Sequence, residues 1–325
     1  MTLLKNMFLG VLLGVFPGLL FAQKDSTSYL PQVGGVIRAK FEYNSSIGKS
    51  RFEVRNARFQ LAGNVSKVFK YKAEVDLSDE GVIKMLDANV QFLPTKHLVF
   101  TLGQMKIPFS TDNLRSPGTL NFSNRSFIAK RICKDLRDIG FMVSYVRGGV
   151  LPFALHAGVF NGEGINNPEW VSTYSIGARA EVGPWKGISL SGDFYSGKVA
   201  GNSSDMFNVG ANYRYKHFYV DAEYAQKQNM DTTGVWSSNA LFAYVLYEIP
   251  IKKGILRNII PAVRYDFYTA DMANGIVQPA RITTGLTFGF HKITWADIRL
   301  SYEKYMYHNQ PDAEDKATIE FIARF

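Results

Sequence analysis

From Tyr29 onward one pattern recurs: apolar and polar residues alternate with period two, in runs joined by connections that are alternately tight and long. In one run Ile37, Ala39, Phe41 and Tyr43 share a face, while Arg38, Lys40 and Glu42 share the other. Phe218, Val220, Ala222 and Tyr224 likewise oppose Tyr219, Asp221 and Glu223. Successive side chains of a strand point to opposite faces, so each run has one wet and one dry face. Such runs predict about sixteen strands, near 33–44, 51–64, 67–78, 82–93, 96–107, 137–148, 151–161, 170–183, 186–197, 205–215, 218–228, 237–250, 256–269, 279–290, 293–306 and 316–325. The tight connections include Asn64 to Lys67, Gly183 to Lys186 and Tyr215 to Phe218. The long ones include Asn44 to Arg51, Leu102 to Gly140, Gly162 to Trp170, Gly197 to Asp205 and Gln228 to Trp236, with Asp79-Glu80-Gly81 as a short exception. This is the layout of an all-β, transmembrane antiparallel β-barrel with short periplasmic turns and longer outer loops. A large soluble all-β protein is the alternative.

The dry faces must meet something apolar. At 46% hydrophobic and 14% aromatic residues, the chain is rich for an exported soluble protein, yet its later apolar runs are all interrupted by polar or charged residues. A barrel reconciles the two, because only every second residue faces lipid. Aromatics gather near strand ends, as at Tyr213, Tyr215, Phe218 and Tyr219, or Tyr302, Tyr305 and Tyr307, which suits interfacial girdles.

At the start of the chain Lys5 precedes an apolar run from Met7 to Phe21, broken by Pro17 and followed by Ala22-Gln23-Lys24-Asp25. That predicts a signal peptide over 1–22, a barrel over 23–325, and the outer membrane as destination. Cys133 is the only cysteine, so the exported fold holds without an internal disulfide. The net charge of +9 becomes +8 when Lys5 leaves with the signal peptide. Outside the cell nucleic acid is not an expected partner, and a basic balance points to anionic solutes or anionic lipid.

The interval from Leu102 to Gly140 is the longest that reads neither as strand nor as turn. In it Lys106, Arg115, Arg125, Lys130, Arg131, Lys134 and Arg137 face only Asp112, Asp135 and Asp138. A barrel this wide leaves an aqueous channel unless something fills it, and this third outer loop is best placed to fold inward and do so. Arg and Lys both bind oxyanions, Arg through two parallel hydrogen bonds and Lys as a point charge. In the second strand Phe52 and Val54 share one parity and Ala57, Phe59 and Leu61 the other. Either a bulge intervenes or the first residues lie above the lipid belt; a bulge would turn Arg55 or Arg58 into the bore.

Gly103-Gln104, Lys106, Pro108-Phe109-Ser110, Leu114, Ser116, Leu120, Phe122, Arg125-Ser126 and Arg137-Asp138-Ile139-Gly140 together resemble the segment typical of the phosphate-selective porin O and P family. Arg58-Phe59-Gln60-Leu61-Ala62-Gly63 and Tyr71-Lys72-Ala73-Glu74-Val75-Asp76 resemble that family's second and third strands. The ending Ile319 to Phe325 resembles the signal read by the barrel-assembly machinery, with Phe325 last. The resemblance implies a trimeric porin that passes phosphate or related oxyanions and is constricted by its third outer loop. It places Lys106, Arg125 and Arg137 in that constriction, on a framework of Gly103, Pro108, Phe109, Asp138 and Gly140. Arg58, Arg115, Lys130, Arg131 and Lys134 complete the candidate anion-binding set. Plainer roles compete: Lys106 can cap a strand end, Asp138 can neutralise Arg137, and a basic run can be a solvated face or a lipopolysaccharide contact.

The five histidines lie far apart without metal-ligand spacing, and no Gly-x-Ser-x-Gly elbow occurs. No metal, cofactor or enzymatic activity is expected. A general non-selective porin, a closed barrel with a structural or adhesion role, and a membrane lipase are the alternatives.

Overall fold

The first strand pairs with the last. Val36 to Asn44 run antiparallel to Arg324 to Lys316, every other strand pairs with its sequence neighbours, and the sheet therefore has no free edge. In this computed structural model residues 28–199, 202–231, 234–272, 275–290, 295–307 and 315–325 are described. The expected signal peptide over 1–22 lies outside them.

The barrel has 16 strands. These are β1 (Gln32–Asn44), β2 (Lys49–Asn64), β3 (Phe69–Asp79), β4 (Val82–Phe92), β5 (Leu98–Lys106), β6 (Arg137–Arg147), β7 (Phe153–Phe160), β8 (Ser175–Trp185), β9 (Ile188–Val199), β10 (Asn202–Tyr215), β11 (Phe218–Asp231), β12 (Gly234–Tyr247), β13 (Leu256–Met272), β14 (Pro279–Phe290), β15 (Trp295–Tyr307) and β16 (Asp315–Arg324). Ile249–Pro250 continues β12, and Gly275–Val277 leads into β14. Strand β8 begins at Ser175, the partner of Phe160, because residues before it have no strand to pair with. The long connections expected at Gly197 to Asp205 and Gln228 to Trp236 are largely strand, paired as far as Val199 with Asn202 and Asp231 with Gly234. A strand that projects beyond lipid needs no dry face, so its polar sequence resembled a loop.

The wet faces are the buried ones. Arg38, Lys40, Glu42, Asp221, Glu223, Arg299 and Glu303 are almost inaccessible, whereas Ile37, Phe52, Leu102, Phe207 and Val209 are exposed. This inversion fits a wall that faces lipid outward. At the seam Glu320 of β16 accepts from Arg38 of β1 and from Arg299 of β15, the latter at 2.8 Å. In β2 the pairing shifts from Arg38–Asn56 to Ala39–Val54, so Arg55 is the extra residue of a bulge. Near the tight turns the rings of Phe69, Phe92, Phe100 and Phe141 stack in succession across β3 to β6, at centroid spacings of 5.0, 6.1 and 6.0 Å. Three expected girdle residues turn the other way: Tyr219 bonds Arg115, Tyr305 packs on Phe127, and Tyr307, two positions on, stacks on Tyr305 at 6.5 Å. Period two requires this of Tyr219, since its neighbour Phe218 is on the exposed face.

The inner face is not polar all round. Tyr195, Met206, Ala225, Ala240, Phe242, Tyr244, Tyr268 and Ala270, from β9 to β13, form one buried cluster with Met105, Ile107, Phe109, Phe122, Phe127, Ile128, Ile132, Cys133 and Leu136. Five of the sixteen strands, β9 to β13, thus line a hydrophobic core inside the barrel.

Candidate functional site

Two glycines frame the segment between β5 and β6. Gly103 and Gly140 lie directly opposite each other. A Cβ on Gly103 would stand 2.3 Å from the Ala88 carbonyl, and one on Gly140 2.3 Å from the Val159 carbonyl, so neither position admits a side chain without displacing a neighbouring strand. The φ of +125° at Gly103 adds a second reason for glycine there.

Beyond β5 the chain forms a short helix α1 (Thr111–Leu114), a 3-10 turn (Pro117–Thr119) and a π turn (Ile128–Ile132). Three internal staples hold these pieces. The Ser126 amide and hydroxyl both donate to Asp112 Oδ2, at 2.9 and 2.8 Å. Lys106 Nζ donates to the carbonyls of Asn113, Leu114 and Arg115 at 2.7, 3.0 and 3.1 Å. Arg125 donates to the carbonyls of Asp112 and Arg115, the second at 2.7 Å.

The same segment is tied to wall residues from β8 round to β15 and to β1. Asp193 accepts from the Ser110 amide at 2.8 Å, Asp266 from the Phe127 amide at 3.1 Å, and Glu303 from Asn124 at 2.9 Å. Arg115 is paired with Asp221. Arg38, Arg264 and Arg281 donate to the carbonyls of Ser123, Asn124 and Arg125 at 2.7, 3.0 and 2.8 Å. Toward β2, β3 and β4 the only polar tie among the described residues is Lys84 with Asp135, at 3.6 Å.

Two cavities open on that loosely held side. The outer one, about 370 Å³, is lined by nine basic side chains and three acidic ones, Asp79, Glu80 and Asp135. The inner one, about 90 Å³, is lined by Lys72, Glu74, Asp87 and others. Arg58, Lys106 and Arg137 line both. A third cavity, at the tight-turn end, shares Gln60, Lys72 and Gln91 with the inner one and adds Lys70.

The candidate cations fall into four groups. Arg58 and Arg137 stand at the junction but meet carboxylates: Arg58 Nε donates to Asp76 at 2.8 Å and Arg137 Nε to Asp87 at 3.0 Å. Asp138 does not neutralise Arg137; it accepts instead from the Ile139 and Gly162 amides. Lys106 and Arg125 are held by carbonyl oxygens, which orient a cation without cancelling its charge. Lys130 and Lys134 line the outer cavity and are exposed. Desolvation by the surrounding wall and the charges of Arg281, Lys316 and Lys40 push Lys130 down to about 7 against the pull of Glu303, although water reaches it. Arg115 and Arg131 belong to neither cavity: Arg131 lies 4.9 Å from the ring centres of both Phe127 and Tyr268.

Of the remaining predicted residues, Phe109 is wholly buried in the interior cluster, whose neighbouring Pro108 is also buried. The Phe325 ring packs on Phe59 at 5.7 Å, and its backbone pairs with Gly35. Sequence reasoning missed the wall cations Arg38, Lys70, Lys72 and Lys84. Their signal was there, since they occupy the wet faces of β1, β3 and β4.

A closed barrel whose interior holds basic-lined cavities along one side has the architecture of a porin-type channel. The chain belongs to the phosphate-selective porin O and P family, whose profile matches residues 34–241, and is an outer-membrane porin. No curated protein sequence matches it significantly. Among solved structures it is similar to a loop-deletion form of OmpT from Vibrio cholerae, with 14% identity, coverage of 91% of this chain and 99% of that one, and a TM-score of 0.69. The anion-selective porin from Comamonas acidovorans matches at 14% identity, 91% and 99% coverage and a TM-score of 0.66. The channel DcaP of Acinetobacter baumannii matches at 15% identity, 94% and 99% coverage and 0.61. At these identities the likeness concerns the fold.

Proposed function

We propose that the chain is a passive channel for small anions, with phosphate and related oxyanions as preferred solutes, and not an enzyme. The third outer loop folds inward as the constriction. A segment bonded to walls from β8 to β15 and to β1 lies across the enclosure, and the solute passes between it and β1 to β6. The observation that carries this reading is the junction of the outer and inner cavities, where Arg58, Lys106 and Arg137 meet. Lys106 and Arg125 supply donors with no direct carboxylate ion pair, Arg58 and Arg137 supply planar donors already oriented by Asp76 and Asp87, and Lys130 and Lys134 draw anions into the outer cavity. The partial neutralisation favours conduction, because a channel must release what it captures. Arg115 and Arg131 hold the loop.

The signal peptide, assembly through Phe325, lipopolysaccharide contact at the outer rim and association as a homotrimer belong to the same reading. A second reading, a general anion-preferring porin without a phosphate site, is favoured by one observation: the two arginines at the junction already have carboxylate partners. Planar-bilayer recording under a salt gradient separates these. Anion-side reversal with block of chloride current by phosphate is expected. Anion-side reversal without block supports the second reading, and cation-side reversal or a silent bilayer overturns both.

A further inference from the structure

At the end of the barrel that carries Gln32 and Phe325, six successive tight turns each hold an exposed basic residue: Lys67, Lys96, Arg147, Lys186, Lys216 and Lys252. None makes an ion pair among the described residues. The only acidic side chain in these turns, Glu248, is engaged by Asn258 at 2.5 Å.

At two of these turns the backbone argues against lysine. Lys186 has φ of 50° and is followed by Gly187 at 91°, and Lys216 has φ of 52°. Two-residue connections of this hand favour Asn, Asp or Gly at the first position, because a Cβ there is crowded. Lysine is therefore kept against the local preference, which directs attention to its charge. Lys186 Nζ lies 4.8 Å from the Trp185 ring centre and Lys216 Nζ 5.2 Å from that of Tyr215. Trp185 pairs with Ile188 and Tyr215 with Phe218, and all four are exposed on the outward face. The two ammonium groups thus hang on the lipid side of the rim, beside an aromatic belt, and not over the bore.

We propose that this rim binds the headgroup phosphates of anionic phospholipid in the periplasm-facing leaflet, with Trp185 and Tyr215 at the interface and Lys186 and Lys216 on the phosphates. The inference rests on the outer-membrane placement above but not on solute selectivity. Basic residues spread over six turns suit a lipid annulus; an acidic protein would need them gathered in one patch.

The test is native mass spectrometry of the full barrel after exchange into equal parts phosphatidylglycerol and phosphatidylcholine. Wild type is expected to retain phosphatidylglycerol preferentially. Lys186→Asn with Lys216→Asn, which suits both turns and leaves the fold intact by heat-modifiable migration, is expected to lower the enrichment about fivefold for each lysine removed. Lys186→Arg with Lys216→Arg is expected to retain it. Equal retention of both lipids by wild type would overturn the proposal and leave the charge for an acidic protein. Unchanged enrichment in the asparagine variant would overturn it too. Conductance of the same preparations tests the pore reading separately.

Discussion

Ser126 is joined twice to Asp112, through its amide and its hydroxyl, on a single carboxylate oxygen. That contact folds the loop back on itself and brings Arg125 over the carbonyls of Asp112 and Arg115. Burial opposes ionisation of Asp112, but Arg125, Arg115, Arg264 and the Ser126 amide outweigh it and hold the carboxyl below its usual range. Asp112→Ala should cost about 3–5 kcal/mol of loop stability, because it strands buried cations and donors. Limited proteolysis of the assembled barrel should then cut within 107–136, with Asp112→Asn intermediate.

The same contact has an acid limit. A carboxyl whose folded pKa lies below the unfolded value of about 3.9 gives its full stabilisation above that pH and loses it as pH falls through the lowered value. Current noise from loop opening should rise only below about pH 4. Noise that is flat from pH 7 to 3 would remove Asp112 from the account.

Lys106 and Arg125 should dominate charge selectivity. A unit charge at ~4 Å near a protein surface is worth about 4 kcal/mol before desolvation, and losing a quarter of that changes a permeability ratio about fivefold. Lys106→Met and Arg125→Gln are each expected to reduce anion over cation permeability by that order. Arg115→Gln should instead loosen the loop with little change in the ratio. Equal ratios for wild type and Lys106→Met would shift selectivity to the wall cations. Lys106→Met also leaves the Asn113 and Leu114 carbonyls without their donor, while that of Arg115 keeps Arg125, at about 1–3 kcal/mol.

Gly140→Ala should impair folding, since its Cβ would lie 2.3 Å from a backbone oxygen, and overpacking of this kind costs about 1–3 kcal/mol. Gly148→Ala, with nothing within 4 Å, is the control. The yield of heat-modifiable barrel should fall for the first and hold for the second.

Lys130, pushed down to about 7, gains charge as pH drops from 8 to 6. Anion preference should therefore increase over that interval. Lys130→Arg, charged throughout, should flatten the dependence. A slope that survives in the arginine variant would assign the titration to another group.

The strands were legible because each must keep one dry face, and sixteen runs of alternation left little freedom in their order. The Gly103 and Gly140 framework was legible as a motif. The apolar side of the interior was not: along β12 both Phe242 and Tyr244 and their neighbours Ala243 and Val245 are apolar, so alternation gave no direction. Nor could sequence separate Arg115 from Lys106. Their difference is that one meets Asp221, more than a hundred positions away, while the other meets carbonyls of its own loop, and only the closed barrel decides which.

The cluster from Tyr195 to Ala270 that packs against the loop has a mechanical consequence. An empty cylinder of hydrogen-bonded strands flattens readily into an ellipse, whereas a packed interior is nearly incompressible. On the proposed route the filled side acts as a strut, and the conducting gap is measured from that strut and not from the far wall. Squeezing the bilayer laterally should therefore leave the pore's bore size almost unchanged.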